Sequence, residues 1–155
     1  MKLALGDSAP EFSLPDENGD LHRLSEYRGK TVVLFFYPED DTPGCTKEAC
    51  NFRDDYSKYK EAGAEVLGIS PDDSQSHEAF KSKYSLPFTL LADKGHKVCE
   101  EYGVWGGKKL FGFEYEGVHR STFVIDPEGK IAKIFKVNRI EQHSQDVLEA
   151  LESPT

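Results

Sequence analysis

The sequence predicts an α/β domain with a mixed central sheet flanked by helices and an N-terminal hairpin as its entrance. Three observations carry this. Short β-rich apolar runs alternate with segments of helical period through residues 31–102. Two later apolar runs flank a tight turn, and residues 12–24 alternate apolar and polar about an Asn18-Gly19 turn signal.

Each element follows in order. Phe12-Ser13-Leu14 and Leu21-His22-Arg23-Leu24 read as the entry hairpin. The intervening DENGD resembles a calcium loop but lacks the remaining ligand ladder and final glutamate, so a turn is expected. The run from Thr31 to Tyr37 has the continuous apolar, β-rich character of a central strand buried on both faces, and Pro38 ends it. Ala49, Phe52, Tyr56 and Tyr59 then recur at helical spacing, with Gly63 as the stop.

Val66 to Ser70 is a second buried strand. Asp72-Asp73-Ser74 supplies caps for a helix reaching Tyr84. Phe88 to Leu91 is a third strand, followed by a short helix to about Tyr102. The runs 121–125 and 131–135 flank Asp126-Pro127-Glu128-Gly129-Lys130, a strong antiparallel hairpin signal. An amphipathic segment from about Ser144 to Leu151 closes the chain. A parallel portion followed by an antiparallel hairpin is compatible with a thioredoxin-like sheet, although periodicity alone does not select it.

The 155 residues fit a single domain, 1–155, with no repeats, low-complexity tracts or linkers. Hydrophobic content of 37% and charged content of 30% are those of a globular protein. A formal net charge of -9 argues against a nucleic-acid surface or a polybasic membrane face. The apolar run before Gly6 and Asp7 is too brief for a secretory core, and none approaches membrane-spanning length. With three cysteines, an odd count, a reducing, cytoplasmic compartment is expected.

Two of those cysteines lie in DDTPGCTKEAC, residues 40–50. Thr42-Pro43 suits a helix start, where threonine caps and proline is tolerated in the first turn. Cys45 then falls in that turn, where unpaired backbone N–H groups and the positive end of the macrodipole favour a thiolate. A reactive nucleophile and a buried structural cysteine are both open readings; the polar surroundings favour the first. Five helical residues place the Cα atoms of Cys45 and Cys50 roughly 8–9 Å apart, beyond the ~7 Å that a disulfide tolerates. The pair therefore never bonds, or the helix unravels when it does. Zinc lacks a second Cys/His pair of matching spacing, and no Cys-x-x-Cys is present. The five histidines show no spacing that suggests a shared ligand set.

The string Pro38-x-x-x-Thr42-x-x-Cys45 resembles the active-site signature of the peroxiredoxins. TPGCTKEAC is similar to the bacterioferritin comigratory protein, or peroxiredoxin Q, subfamily, and so are APEFSLPDENG, VVLFFYPEDDTPGCT, VLGIS, FTLLAD, YGVW and HRSTFVID. The resemblance spans nearly the whole chain. It implies a thioredoxin-like fold and a thiol peroxidase for hydrogen peroxide and organic hydroperoxides, without metal, haem or flavin. Cys45 matches the peroxidatic cysteine that becomes a sulfenic acid, and Cys50 the resolving cysteine that condenses with it to an intramolecular disulfide. Thioredoxin or a similar dithiol restores both.

The resemblance further implies that the Thr42 hydroxyl bonds the peroxide and the sulfur, and that Arg120 favours the thiolate and polarises the peroxide. Pro38 shields the pocket, Gly44 belongs to the same supporting string, and Glu48 orients Arg120. The subfamily implies a monomer; charge and the short apolar runs argue against a nucleic-acid or membrane partner. From the residues alone, a solvated rim residue is the favoured reading of Arg120, Thr42 is equally only a cap, Pro38 a strand end, and Glu48 an exposed helix residue if Arg120 lies elsewhere. A general thiol-disulfide oxidoreductase and a redox-sensing binding protein are the alternative functions. Cys99 reads as a packing cysteine, and Trp105, Phe111, Phe113 and Tyr115 as wall or rim of the pocket, or as core.

Overall fold

A computed structural model describes residues 3–137 and 139–152. At its centre five strands lie in the order β5-β4-β3-β8-β9. Strand β3 (Thr31–Phe36) is flanked in parallel by β4 (Ala64–Ser70), and β4 in parallel by β5 (Thr89–Ala92). On its other edge β3 pairs antiparallel with β8 (Ser121–Ile125), which pairs antiparallel with β9 (Ile131–Lys136). Pleating sends alternate residues of β3 to opposite faces. Val32, Leu34 and Phe36 enter one core with Leu67, Phe123 and Cys99. Val33, Phe35 and Tyr37 enter the other with Cys45, Phe52 and Val147. This double burial is why β3 reads as an uninterrupted apolar run.

The entry hairpin forms as expected, β1 (Ser13–Pro15) pairing antiparallel with β2 (Leu21–Arg23). Asp16 secures its loop by accepting from the backbone N–H of Asn18 and Asp20, and Gly19 takes the left-handed conformation the turn requires.

The helices are α1 (Pro43–Asp54), α2 (Tyr56–Glu61), α3 (Ser74–Tyr84), α4 (Lys97–Glu101) and α5 (Ile140–Glu152). Asp73 caps α3 by accepting from Ser76 N–H at 2.8 Å. Three features depart from the sequence reading. The single helix expected up to Gly63 is broken at Asp55, whose carboxylate accepts from the Ser144 hydroxyl of α5 at 2.9 Å. The last helix starts at Ile140, ahead of Ser144. The third is a hairpin absent from the sequence reading, β6 (Trp105–Leu110) with β7 (Phe113–Val118), antiparallel and apart from the main sheet. Its tip carries Phe111, 92% exposed, and Phe113, 76% exposed. These two rings are not core, and Tyr115 is 46% exposed.

Candidate active site

The chain leaves the central strand through Pro38 and Glu39 and enters α1 at Pro43. Asp41 takes a left-handed backbone, φ 58°, unusual for a residue with a side chain. Its carboxylate is gripped from the end of α3 by Lys83 Nζ and Tyr84 Oη, each at 2.7 Å. Thr42 occupies the N-cap position with an extended backbone. Its hydroxyl does not cap the helix; it donates to the Glu39 carbonyl at 3.0 Å.

Cys45 is the third residue of α1 and 1% exposed. Arg120, immediately before β8, reaches across the sheet edge to it: Nη2 donates to Cys45 Sγ at 3.2 Å, and Nη1 donates to Glu48 Oε1 at 2.6 Å. One guanidinium thus joins two side chains one helical turn apart on α1. Gly44 leaves room for it, since a Cβ there would lie 3.3 Å from Arg120 Nη2 and 3.3 Å from Ile140 Cδ1.

Glu48 is buried, contrary to the exposed alternative, and burial pushes its carboxyl up to about 7 against the pull of Arg120. The guanidinium in turn is held above its ordinary value, burial being outweighed by Glu48 and Cys45.

Behind Glu48 lie two residues the sequence reading passed over. His143 Nε2 is 3.9 Å from Glu48 Oε2 and 2.7 Å from Thr122 Oγ1. The His143 ring meets Phe52 and Phe135 edge-to-face. Burial lowers His143 to about 4, so it faces Glu48 as a neutral imidazole near pH 7. A threonine inside an apolar strand was the one available sign; His143 had none, since its partners come from distant segments.

On the open side, Lys108 of β6 lies within electrostatic reach of Arg120 and Cys45. Burial, and then Arg120, lowers its ammonium, while Cys45 opposes this. Lys108 and Tyr115 line a cleft of about 320 Å³ with Pro38, Trp105 and Pro71. A larger cleft of about 420 Å³, bounded by Leu3, Phe123 and Ile134, belongs to the opposite core; neither cleft has a thiol in its lining.

A sulfur at a helix start, bonded by a fixed cation that is itself held by a buried carboxylate, is built to stabilise negative charge on and near sulfur. The AhpC/TSA family model matches residues 5–134. The chain belongs to the AhpC/TSA family. Its relatives place it in the bacterioferritin comigratory protein or peroxiredoxin Q subfamily. It is 49% identical to the putative peroxiredoxin bcp of Coxiella burnetii over 148 residues, covering 96% of this chain and 98% of that one. With peroxiredoxin Bcp of Bacillus subtilis it shares 45% over 151 residues, 97% of this chain and 96% of that one. The bacterioferritin comigratory protein of Xanthomonas campestris, studied for alkyl peroxide reduction, superposes with a TM-score of 0.86 at 33% identity, covering 91% of this chain and 90% of that one. The sheet is accordingly that of a thioredoxin-fold peroxiredoxin, and the protein is a thiol peroxidase.

In this peroxiredoxin the three thiols are free and unequally placed. Cys50 is half-buried, on the same unbroken α1 as Cys45. Cys99 is fully buried in the opposite core, packing as expected. Burial and the neighbouring Asp93 push its thiol far above the ordinary range. No described helix is long and apolar enough to cross a membrane.

Proposed function

We propose that Cys45 is the peroxidatic nucleophile and Cys50 its resolving partner, in a thioredoxin-recycled reduction of hydrogen peroxide and organic hydroperoxides by a cytoplasmic monomer. One observation carries this reading: the 3.2 Å bond from Arg120 Nη2 to Cys45 Sγ in the first turn of α1.

The Cys45 thiolate attacks one peroxide oxygen. An S–O bond forms as the O–O bond breaks, sulfur gives up two electrons, and the departing oxygen takes a proton from solvent. Arg120 stabilises that oxygen as charge develops on it, while the Thr42 oxygen, whose hydrogen goes to the Glu39 carbonyl, accepts from the peroxide O–H. Glu48 holds the guanidinium in place, Gly44 leaves space for it, and Pro38 walls the cleft.

The Cys50 sulfur then attacks the sulfenic sulfur, an S–S bond forms, and water leaves. A dithiol reductant exchanges with this disulfide and becomes disulfide itself. Because Cys45 and Cys50 share α1, resolution requires its first turns to open. The likeness to the Xanthomonas campestris protein supports organic hydroperoxides as substrates, and the odd cysteine count fits a reducing compartment.

The test couples the protein to thioredoxin, its reductase and NADPH, with sedimentation giving the mass of the active species. Peroxide-dependent NADPH loss that vanishes in Cys45→Ser is expected. Turnover surviving that substitution would overturn the assignment.

A further inference from the structure

We propose that Asp40, Asp72 and His77 are positioning residues for the peroxide step, fixing the Glu39–Asp40 peptide whose carbonyl aims the Thr42 hydroxyl. This rests on the role given to Thr42 above. The geometry is direct. The Asp40 backbone N–H donates to Asp72 Oδ2 at 2.7 Å, and the Glu39 carbonyl accepts from Thr42 Oγ1 at 3.0 Å. These are the two polar groups of one peptide unit, and that unit is planar. Holding its N–H therefore sets the direction of its C=O, and hence where the Thr42 hydroxyl sits.

Both handles on this peptide are held in turn. The Ser70 hydroxyl donates to Asp72 Oδ2 at 2.7 Å, and Asp72 N–H donates back to Ser70 Oγ at 3.2 Å. The Asp40 carboxylate accepts from Tyr37 Oη at 2.6 Å and Ser76 Oγ at 2.8 Å, and lies 2.7 Å from His77 Nδ1. His77 Nε2 is 2.8 Å from the Leu91 carbonyl, which only accepts, so this nitrogen carries a hydrogen.

Two hydroxyls already donate to the Asp40 carboxylate, and His77 Nδ1 faces the same group, which favours a proton on that nitrogen as well. Asp40, chiefly, and Asp72 raise its pKa against the penalty of burial. The two side chains are 0% and 4% exposed. When protonated, His77 in the first turn of α3 also opposes that helix's macrodipole. Such a buried pair adds little stability over apolar residues of the same volume. Fixing the exit of β3 accounts for it. The three side chains lie close enough to share an ion. However, Nδ1 is engaged with Asp40, and both Asp40 oxygens already accept, so the cluster is a hydrogen-bond network.

The test uses a Cys50→Ser parent, in which Cys45 reacts once. Sulfenic acid formation with hydrogen peroxide is followed beside alkylation by iodoacetamide, which has no O–O bond for Thr42 to address. Asp72→Ala and His77→Gln are expected to slow the peroxide reaction roughly ten- to a hundredfold. Alkylation should stay within about twofold, and Asp72→Asn, which retains an acceptor oxygen, should recover most of the rate. Thr42→Val should be slow too, and adding Asp72→Ala to it should cost nothing more, because both act through one hydroxyl.

Should Asp72→Ala fail to fold, His77→Gln and Asp72→Asn carry the comparison. Unchanged peroxide rates, losses that multiply in the double variant, or an equal loss in alkylation would overturn the proposal. If Thr42→Val keeps the parent rate, the Thr42 assignment itself fails. If Thr42→Val is slow while Asp72→Ala is not, only the positioning claim fails.

Discussion

Arg120 and Glu48, 72 positions apart in sequence, form a 2.6 Å ion pair in which the carboxylate is 1% exposed. The other nitrogen of the same guanidinium holds Cys45, so the pair sets where positive charge meets sulfur. Arg120→Met should lower the second-order rate with hydrogen peroxide by at least about a hundredfold. Arg120→Lys should recover little, because an ammonium cannot bridge both partners. Stopped-flow fluorescence on reduced protein checks both.

The carboxyl of Glu48 titrates near 7, and its protonation removes the charge that fixes Arg120. The peroxide rate should therefore fall as pH drops through about 7, with that limb absent in Glu48→Gln. Stability responds with the opposite sign. A carboxyl raised on folding from 4.5 contributes fully below that value, and the contribution is lost as pH rises through about 7. His143, lowered to about 4, contributes above its unfolded value of 6.5, and this is lost as pH falls through about 4. Urea unfolding across acidic pH should lose the Glu48 slope in Glu48→Gln and keep the others, that of His143 among them.

Gly44→Ala should separate stability from rate. Its backbone is not in the left-handed region, so alanine improves helix propensity by up to about 1 kcal/mol. The new Cβ, 3.3 Å from both Arg120 Nη2 and Ile140 Cδ1, pushes on a guanidinium clamped at both ends. Unfolding free energy should hold or rise while peroxide reactivity falls roughly tenfold; denaturation and stopped-flow curves on one preparation decide it.

How much of this was legible beforehand depends on where the partners lie. Strands β3, β4 and β8 could be read because both their faces are apolar. The β6–β7 hairpin could not: Gly106, Gly107 and its charged residues give no alternation, and its aromatic tip is exposed. The break at Asp55 depends on Ser144, 89 positions away, which no local pattern announces. The DDTPGC string pointed to Cys45 and Thr42, whereas His77 and Asp40 looked like an ordinary helix residue and half of an acidic turn. Only the fold makes them neighbours.

Cys45 and Cys99 sit in cores on opposite faces of the sheet. Cys99→Ala should leave thioredoxin-coupled turnover within about twofold while lowering stability by about 1–2 kcal/mol. Cys50→Ser should react once and accumulate sulfenic acid. Mass mapping after one equivalent of peroxide should find the Cys45–Cys50 bridge. A Cys45–Cys99 bridge would contradict the two-core separation.

Oxidation should open the first turns of α1. Backbone amides from Thr42 to Asn51 should exchange faster in the disulfide form than in the dithiol form, while those of α2 stay unchanged. Equal protection in both forms would count against the opening.

The interruption at Asp55 gives that opening a boundary. Beyond it, Tyr59 is fastened to the Ser144 carbonyl at 2.6 Å, and Asp55 itself to the Ser144 hydroxyl. Unwinding of α1 therefore meets a firebreak at the end of its twelve residues. The catalytic cycle can spend and recover one short helix, over and over, without drawing the main scaffold into the motion.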